Sequence, residues 1–257
     1  MKHVYSKKGI LSMLIICLSM SLLSCGQKDS ARAVNGDGSA KEQAREKERN
    51  DKQQKDETIE VNHTSAGTKK EVVMVYMVGS NLESEGALAS EDIKEMQKSG
   101  FDEEELTVLL CAGGSSQWWT SEIPENACTI FELTDDGLKE MASLGDKNMG
   151  EADTLTSFVD YAYESYEAEN YGLILWDHGG GAILGCGADE NYNYDTLSVN
   201  EMDTALGSSK IAADGNKFTW IGFDACLMGM LEVGDALSDY SDYMIASDEM
   251  EAGQGRN

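Results

Sequence analysis

Past residue 70 the sequence has little positive charge: residues 71–257 hold seven Lys/Arg against 38 Asp/Glu. A surface this acidic repels nucleic acid and favours cationic partners such as basic peptides and Ca²⁺. Histidine is scarcer. Of three in the chain, His3 and His63 precede residue 71, and only His178 follows it. Any imidazole chemistry in that region therefore rests on His178. Cys111, Cys128, Cys186 and Cys226 are separated by 17, 58 and 40 residues. Those spacings match no zinc site. One disulfide among them is open in an exported protein, with no assignable pairing. Cys111 ends an apolar run and reads as a buried free thiol. There is no internal repeat, and Pro124 is the only proline.

The chain also lacks an apolar run of membrane-spanning length. Residues 10–23 form a 14-residue apolar stretch behind Lys2, Lys7 and Lys8. That is the core of a signal peptide, too short for a span. It ends Leu22-Leu23-Ser24-Cys25, which resembles a bacterial lipobox. Cys25 would then be lipidated and become the mature N-terminus; an ordinary secretory signal with a chance cysteine is the alternative. Residues 26–70 hold ten Lys/Arg, nine Asp/Glu and almost no large apolar side chains. Such a segment buries too little to offset chain entropy and reads as a disordered tether. Residues 1–25 are thus expected as signal, 26–70 as tether and 71–257 as the folded domain.

Within that domain, residues 71–78 (E-V-V-M-V-Y-M-V) read as a strand buried on both faces. Residues 82–97 carry apolar side chains at helical spacing, closed by Gly100. A second strand is expected at 106–112, and a less regular strand pair around Trp118-Trp119 and 128–133. A helix follows at 153–168, with Thr154 or Asp153 as N-cap. Then come a strand at 171–176, a Gly-, Asn- and Asp-rich insertion with a short helix at 199–206, and a strand at 218–223. A helix at 227–237 and a strand at 242–246 end the series. This alternation implies an α/β fold, a three-layer sandwich with a mostly parallel sheet.

Two stretches share a layout. Residues 173–181 read L-I-L-W-D-H-G-G-G. Residues 218–229 run from a strand into D-A-C-L-M-G. His178 and Cys226 would each sit beyond the carboxyl end of a strand, where open α/β sheets place chemistry. A thiol attacks only as thiolate, and its free pKa is about 8.5. The start of the helix expected at 227–237 would favour that thiolate. Neighbouring strands would then make a Cys–His dyad. The amides of Gly179 and Cys226 are candidate oxyanion donors. Taken singly, a loop histidine and a core cysteine are the blander readings.

W-D-H-G-G-G and F-D-A-C-L-M-G-M resemble the two catalytic motifs of the clostripain family of cysteine peptidases. The resemblance covers roughly residues 71–250, including the opening V-V-M-V-Y-M-V-G-S-N-L. It implies a caspase-like (caspase-hemoglobinase) fold similar to that of gingipains and legumain. It also implies His178 as general base, Cys226 as nucleophile, and cleavage after Arg or Lys. Asp224 would line the S1 pocket and meet the basic side chain; a helix N-cap is its other reading. Asp248 is a second candidate for the pocket. Family members often self-cleave between the motifs. Residues 185–217 contain only Lys210 and Lys217 as basic residues, and Lys210, in G-S-S-K-I-A-A-D-G-N, is the expected autocleavage site.

The chemistry needs no cofactor, but the resemblance raises Ca²⁺ as a ligand. Asp189, Asp195 and Asp203 are the available acids, at spacings that match no defined calcium loop. The family continues P-G-x-G-W where this chain reads E-A-G-Q-G-R-N, so the domain is expected to be C-terminally incomplete. The expected protein is an exported, membrane-anchored lipoprotein that cuts polypeptides with Arg or Lys at P1. A non-catalytic surface-binding lipoprotein and a Ca²⁺-binding interaction module are the competing readings.

Overall fold

The computed structural model describes residues 68–250. The signal peptide, Cys25, nearly all of the tether and the last seven residues lie outside the described residues. Strand β1 is Lys69–Val78, followed by helices α1 (Ser80–Gly86) and α2 (Leu88–Lys98). Strands β2 (Leu106–Gly113), β3 (Cys128–Thr134) and β4 (Gly137–Gly145) precede helix α3 (Ala152–Ser165) and strand β5 (Ala168–Trp176). A short helix α4 (Gly181–Leu184) leads to the small strands β6 (Cys186–Asp189) and β7 (Asp195–Leu197). Helices α5 (Val199–Ser208) and α6 (Lys210–Ala213), strand β8 (Phe218–Asp224), helix α7 (Leu231–Leu237) and strand β9 (Ser241–Ile245) complete the domain.

Seven strands form one sheet in the order β4-β3-β2-β1-β5-β8-β9. The β2-β1-β5-β8-β9 portion is parallel; β3 and β4 add antiparallel. Strand β1 is central and apolar on both faces, as its sequence requires. Val73, Val75 and Met77 face α2, packing with Ala89, Ile93 and Met96. Tyr76 faces the other way, its ring centroid 6.2 Å from that of Phe158 on α3 and its hydroxyl donating to Met149 O at 2.8 Å. Helix α3 packs on α5 and α6, and α5 on α7. This is the three-layer α/β/α arrangement the sequence implied.

Local structure departs from expectation at several places. Trp118 and Trp119, expected in a strand pair with 128–133, lie outside any strand, and β3 pairs with β4 instead. The helix expected over 82–97 is two helices, because Ala87 adopts a left-handed φ of 60°. Helix α3 begins after Glu151 with no side-chain cap. Of the two expected caps, Asp153 lies inside the first turn and Thr154 donates its hydroxyl to Asn148 O at 2.7 Å instead. Strand β4 carries no clear alternation and was not expected; it is half-exposed at the sheet edge. Strand β1 begins at Lys69, inside the expected tether, because backbone bonds from Lys69 N to Glu167 O and Lys70 N to Glu105 O extend the ladder.

A buried acid, Glu71, and a half-buried one, Asp92, hold the indoles of the sheet. Gly172 opposes Trp220 across the β5–β8 pair, and a Cβ at 172 would run into the Trp220 ring. That space lets Trp220 Nε1 reach Glu71 Oε1 at 2.9 Å. Likewise Trp176 Nε1 donates to Asp92 Oδ2 at 2.8 Å. Burial pushes the Asp92 carboxyl up to about 6 from its ordinary 3.8, against the lowering effect of Trp176. A raised carboxyl stabilises the fold while protonated, and that stability is lost as pH rises from about 4 through about 6. Asp92→Asn keeps an acceptor for Trp176 without the charge. It is expected to be more stable than the parent at pH 7 by roughly 1–3 kcal/mol, and no more stable at pH 4. Urea unfolding at the two pH values checks this; an equal difference at both would refute it.

Candidate active site

The site forms where β5 and β8 end side by side. The two strands run parallel in register from Gly172↔Trp220 to Trp176↔Asp224. One more bond, Asp177 N to Asp224 O at 3.3 Å, carries the pairing past the strand ends. His178 and Cys226 each lie two residues beyond the last register pair. The expected adjacency of the two motifs is thereby met. Their contact is direct at Gly179: a Cβ there would overlap the carbonyl of Cys226. Glycine is required at 179 so that the two turns can touch.

Behind that contact, β6 folds back on the glycine loop. Gly179 and Cys186 form a bridge in which Gly187 N donates to His178 O at 2.9 Å and Gly180 N donates to Gly185 O at 2.8 Å. In this pattern the bridge takes its bonds from the flanking residues, so the ladder does not use the Gly179 amide. Gly179 itself packs on the backbone of the Cys226 turn.

Cys226 is partly exposed and sits in a turn, with α7 starting only at Leu231. The expected helix start at Cys226 is therefore corrected. Apolar side chains continue through 227–231, which suggested a helix, but Leu227 takes a left-handed φ of 63°. A positive φ at a bulky residue is costly, and such costs concentrate at functional turns. The turn is braced from the segment that follows β9: Leu227 N donates to Glu249 O at 3.0 Å and Gly229 N to Ser247 O at 2.6 Å. Asp248 is exposed, with its backbone amide close against Gly229. Asp224 is the last residue of β8 and is buried.

His178 is half-buried, and burial lowers its pKa below the ordinary 6.5. The neutral imidazole, the form a general base requires, is favoured. Its Nε2 lies 2.9 Å from Asn81 Oδ1. Next to it, Asp177 is buried, accepts from Ala188 N at 2.6 Å, and is held well above the usual carboxylate range chiefly by burial. Cys186 is also buried, and burial pushes its thiol up, with Asp177 adding to the effect. Sequence reasoning assigned no role to Asn81, Asp177 or Cys186. Asn81 left one trace, its place just after a strand in G-S-N-L. None of the four described cysteines is in a disulfide, and Cys111 is buried as expected.

The remaining expected residues lie elsewhere. Lys210 opens α6, with Ser209 as its N-cap. Its amide donates to Asp160 Oδ1 at 2.7 Å and its ammonium pairs with Glu164. The segment read as soft is thus a capped turn of helix. Asp189 and Asp195 are cross-strand partners, but Asp203 lies on α5 and accepts from Tyr240. Asp189 is spent on the amides of Met149 and Asn191, and Asp195 on Asn148. These three acids do not gather around one point, and among the described residues no group of three or more metal-ligating side chains does. They do not fit a calcium ion.

The clostripain of Hathewaya histolytica is 27% identical over 196 residues, covering 64% of this chain and 35% of that protein. A secreted C11 cysteine protease from Bacteroides thetaiotaomicron, solved with an irreversible peptide inhibitor, matches with a TM-score of 0.56 at 23% identity. That match covers 71% of this chain and 50% of the other. An inactive zymogen C11 protease from Parabacteroides distasonis matches with a TM-score of 0.52 at 26% identity, over 74% of this chain and 51% of its own. The chain thus spans about a third of the curated relative and half of the solved ones, on the caspase-like architecture expected from the motifs. Both strand-end turns lie within residues 75–257, which match the sequence profile of the clostripain family, peptidase C11, and the chain belongs to that family.

Proposed function

We propose that this chain carries the catalytic centre of a cysteine endopeptidase that cuts polypeptides after Arg or Lys. The observation that carries the reading is the meeting of the two turns, with Gly179 packed on the Cys226 backbone at the ends of paired strands. His178 takes the thiol proton from Cys226. The thiolate adds to the scissile carbonyl, and the amides of Gly179 and Cys226 hold the oxyanion. His178 returns the proton to the leaving amine, and water then hydrolyses the thioester. Asp224, buried two residues before the nucleophile, supplies the charge for a guanidinium or ammonium. The 38 acids against seven bases after residue 70 would concentrate cationic peptides at the surface.

Hydrolysis of Arg- and Lys-aminomethylcoumarin peptides by the full-length protein tests the reading. Cys226→Ala should abolish turnover. Asp224→Ala should lower turnover of Arg and Lys substrates by roughly 100-fold while leaving Cys226 open to alkylation. Alkylation without hydrolysis in the parent chain would favour the binding-lipoprotein reading. The signal-like N-terminus supports export and anchoring through lipidated Cys25, which mass spectrometry of the N-terminal peptide can check. Processing at Lys210 would require α6 to open and its contacts with Asp160 and Glu164 to break.

A further inference from the structure

His178 has a partner that neither strand-end motif contains: Asn81, 97 residues earlier in the chain. We infer that Asn81 is the positioning residue of this histidine, holding the imidazole through Nε2 so that Nδ1 is its basic nitrogen. This rests on the Cys226–His178 reading above.

The direction of the bond follows from chemistry. An amide oxygen has no proton to give, so Nε2 carries the hydrogen and Nδ1 the lone pair. Ser80 Oγ donates to the same Oδ1 at 3.2 Å, so both contacts are met with the amide oxygen toward the ring.

The backbone is arranged to put Asn81 there. Ser80 is fully buried and left-handed, with φ 52°. Side chains avoid that conformation unless their surroundings impose it. The loop after β2 imposes it: Gly79 N donates to Gly113 O at 2.8 Å, Ser80 N to Gly114 O at 3.0 Å, and Ser115 Oγ to Ser80 O at 2.8 Å. At Gly79 a side chain is excluded, because a Cβ would meet Ser115 and Trp118 at 2.8 Å. Strand β1 lies between β2 and β5. A turn pinned to the β2 loop on one side can therefore offer a side chain to the β5 loop on the other.

When the thiol proton passes from Sγ to Nδ1, the ring becomes an imidazolium with both nitrogens protonated. Asn81 Oδ1 still accepts from Nε2 before and after the transfer. The amide is neutral, so it fixes ring and tautomer without adding charge beside the base.

The test is the rate at which iodoacetamide alkylates Cys226 at pH 7 in the full-length chain, with Cys226→Ala as background. His178→Ala sets the floor. Asn81→Leu, close in shape but without an acceptor, is expected to slow alkylation about tenfold or more. Asn81→Asp restores an acceptor oxygen and should stay within about threefold of the parent, a recovery that mere packing would not produce. ¹⁵N NMR of the unsubstituted protein should show His178 as the Nε2–H tautomer. Parental alkylation in Asn81→Leu alongside a slow His178→Ala overturns the role of Asn81 alone. A parental rate in His178→Ala overturns the Cys–His reading with it. An Nδ1–H tautomer overturns the inference without any substitution.

Discussion

Gly179→Ala is expected to cost the domain about 3 kcal/mol or more and to abolish alkylation of Cys226. The added carbon would overlap the Cys226 carbonyl and crowd the amide nitrogen of the same residue. Neighbouring side chains can rotate away from an intruding methyl, but this neighbour is backbone. Relief would require one of the two turns to move. The His178 side is tied to β6 through the His178 carbonyl and the Gly180 amide, and the Cys226 side to residues 247–249. Gly179 does not have a positive φ, so the cost is steric and not conformational. Gly222→Ala is the control, since a Cβ there meets Trp220 only at 3.4 Å, ordinary contact. Urea unfolding of both variants checks the difference. A Gly179→Ala protein within about 1 kcal/mol of the parent would sink the close-contact account.

The second large effect is expected at Glu83, which lies in α1 two residues after Asn81. Glu83 is fully buried. Its carboxylate accepts from Ser90 N at 2.9 Å, Ser90 Oγ at 2.5 Å and Trp119 N at 2.7 Å. It joins α1, α2 and the loop after β2 at the point where Ala87 breaks the helix. Removing it leaves three donors with no acceptor, in part-buried or buried surroundings. Each stranded buried donor costs roughly 1–3 kcal/mol, so Glu83→Ala is expected to lose about 4 kcal/mol. The carboxylate holds the turn that presents Asn81, so alkylation of Cys226 should also fall. Chemical denaturation and the alkylation rate, measured on the same samples, check both parts. A loss below about 1 kcal/mol would show that water replaces the carboxylate and that the corner does not depend on it.

The central sheet was legible wherever burial is uniform. Strands β1, β2, β5 and β8 are apolar runs that parallel pairing buries on both faces, and their bounds fall within three residues of expectation. Strand β4 was not legible, because G-L-K-E-M-A-S-L-G lies at an edge with intermediate or exposed side chains throughout. The break at Ala87 was also hidden. No glycine or proline stands at that position, and the left-handed turn is stabilised by Ala87 N bonding to Glu83 O. The S-V-N-E sequence at 198–201 did carry a readable signal. It forms a capping box, Ser198 N to Glu201 Oε2 at 2.9 Å, which fixes the start of α5.

The sequence by itself determined the chemistry available: one histidine past residue 70, a cysteine in a matching strand-end turn, glycines beside the histidine, and an acidic surface. Those are counts and local patterns, and local patterns survive without coordinates. Only the tertiary structure decided that β5 and β8 are neighbours in register and that Cys226 sits in a turn clear of any helix. It alone decided that Asn81 faces His178. Each of these depends on groups tens of residues apart, brought together by strand order and side-chain burial, which one-dimensional spacing does not encode.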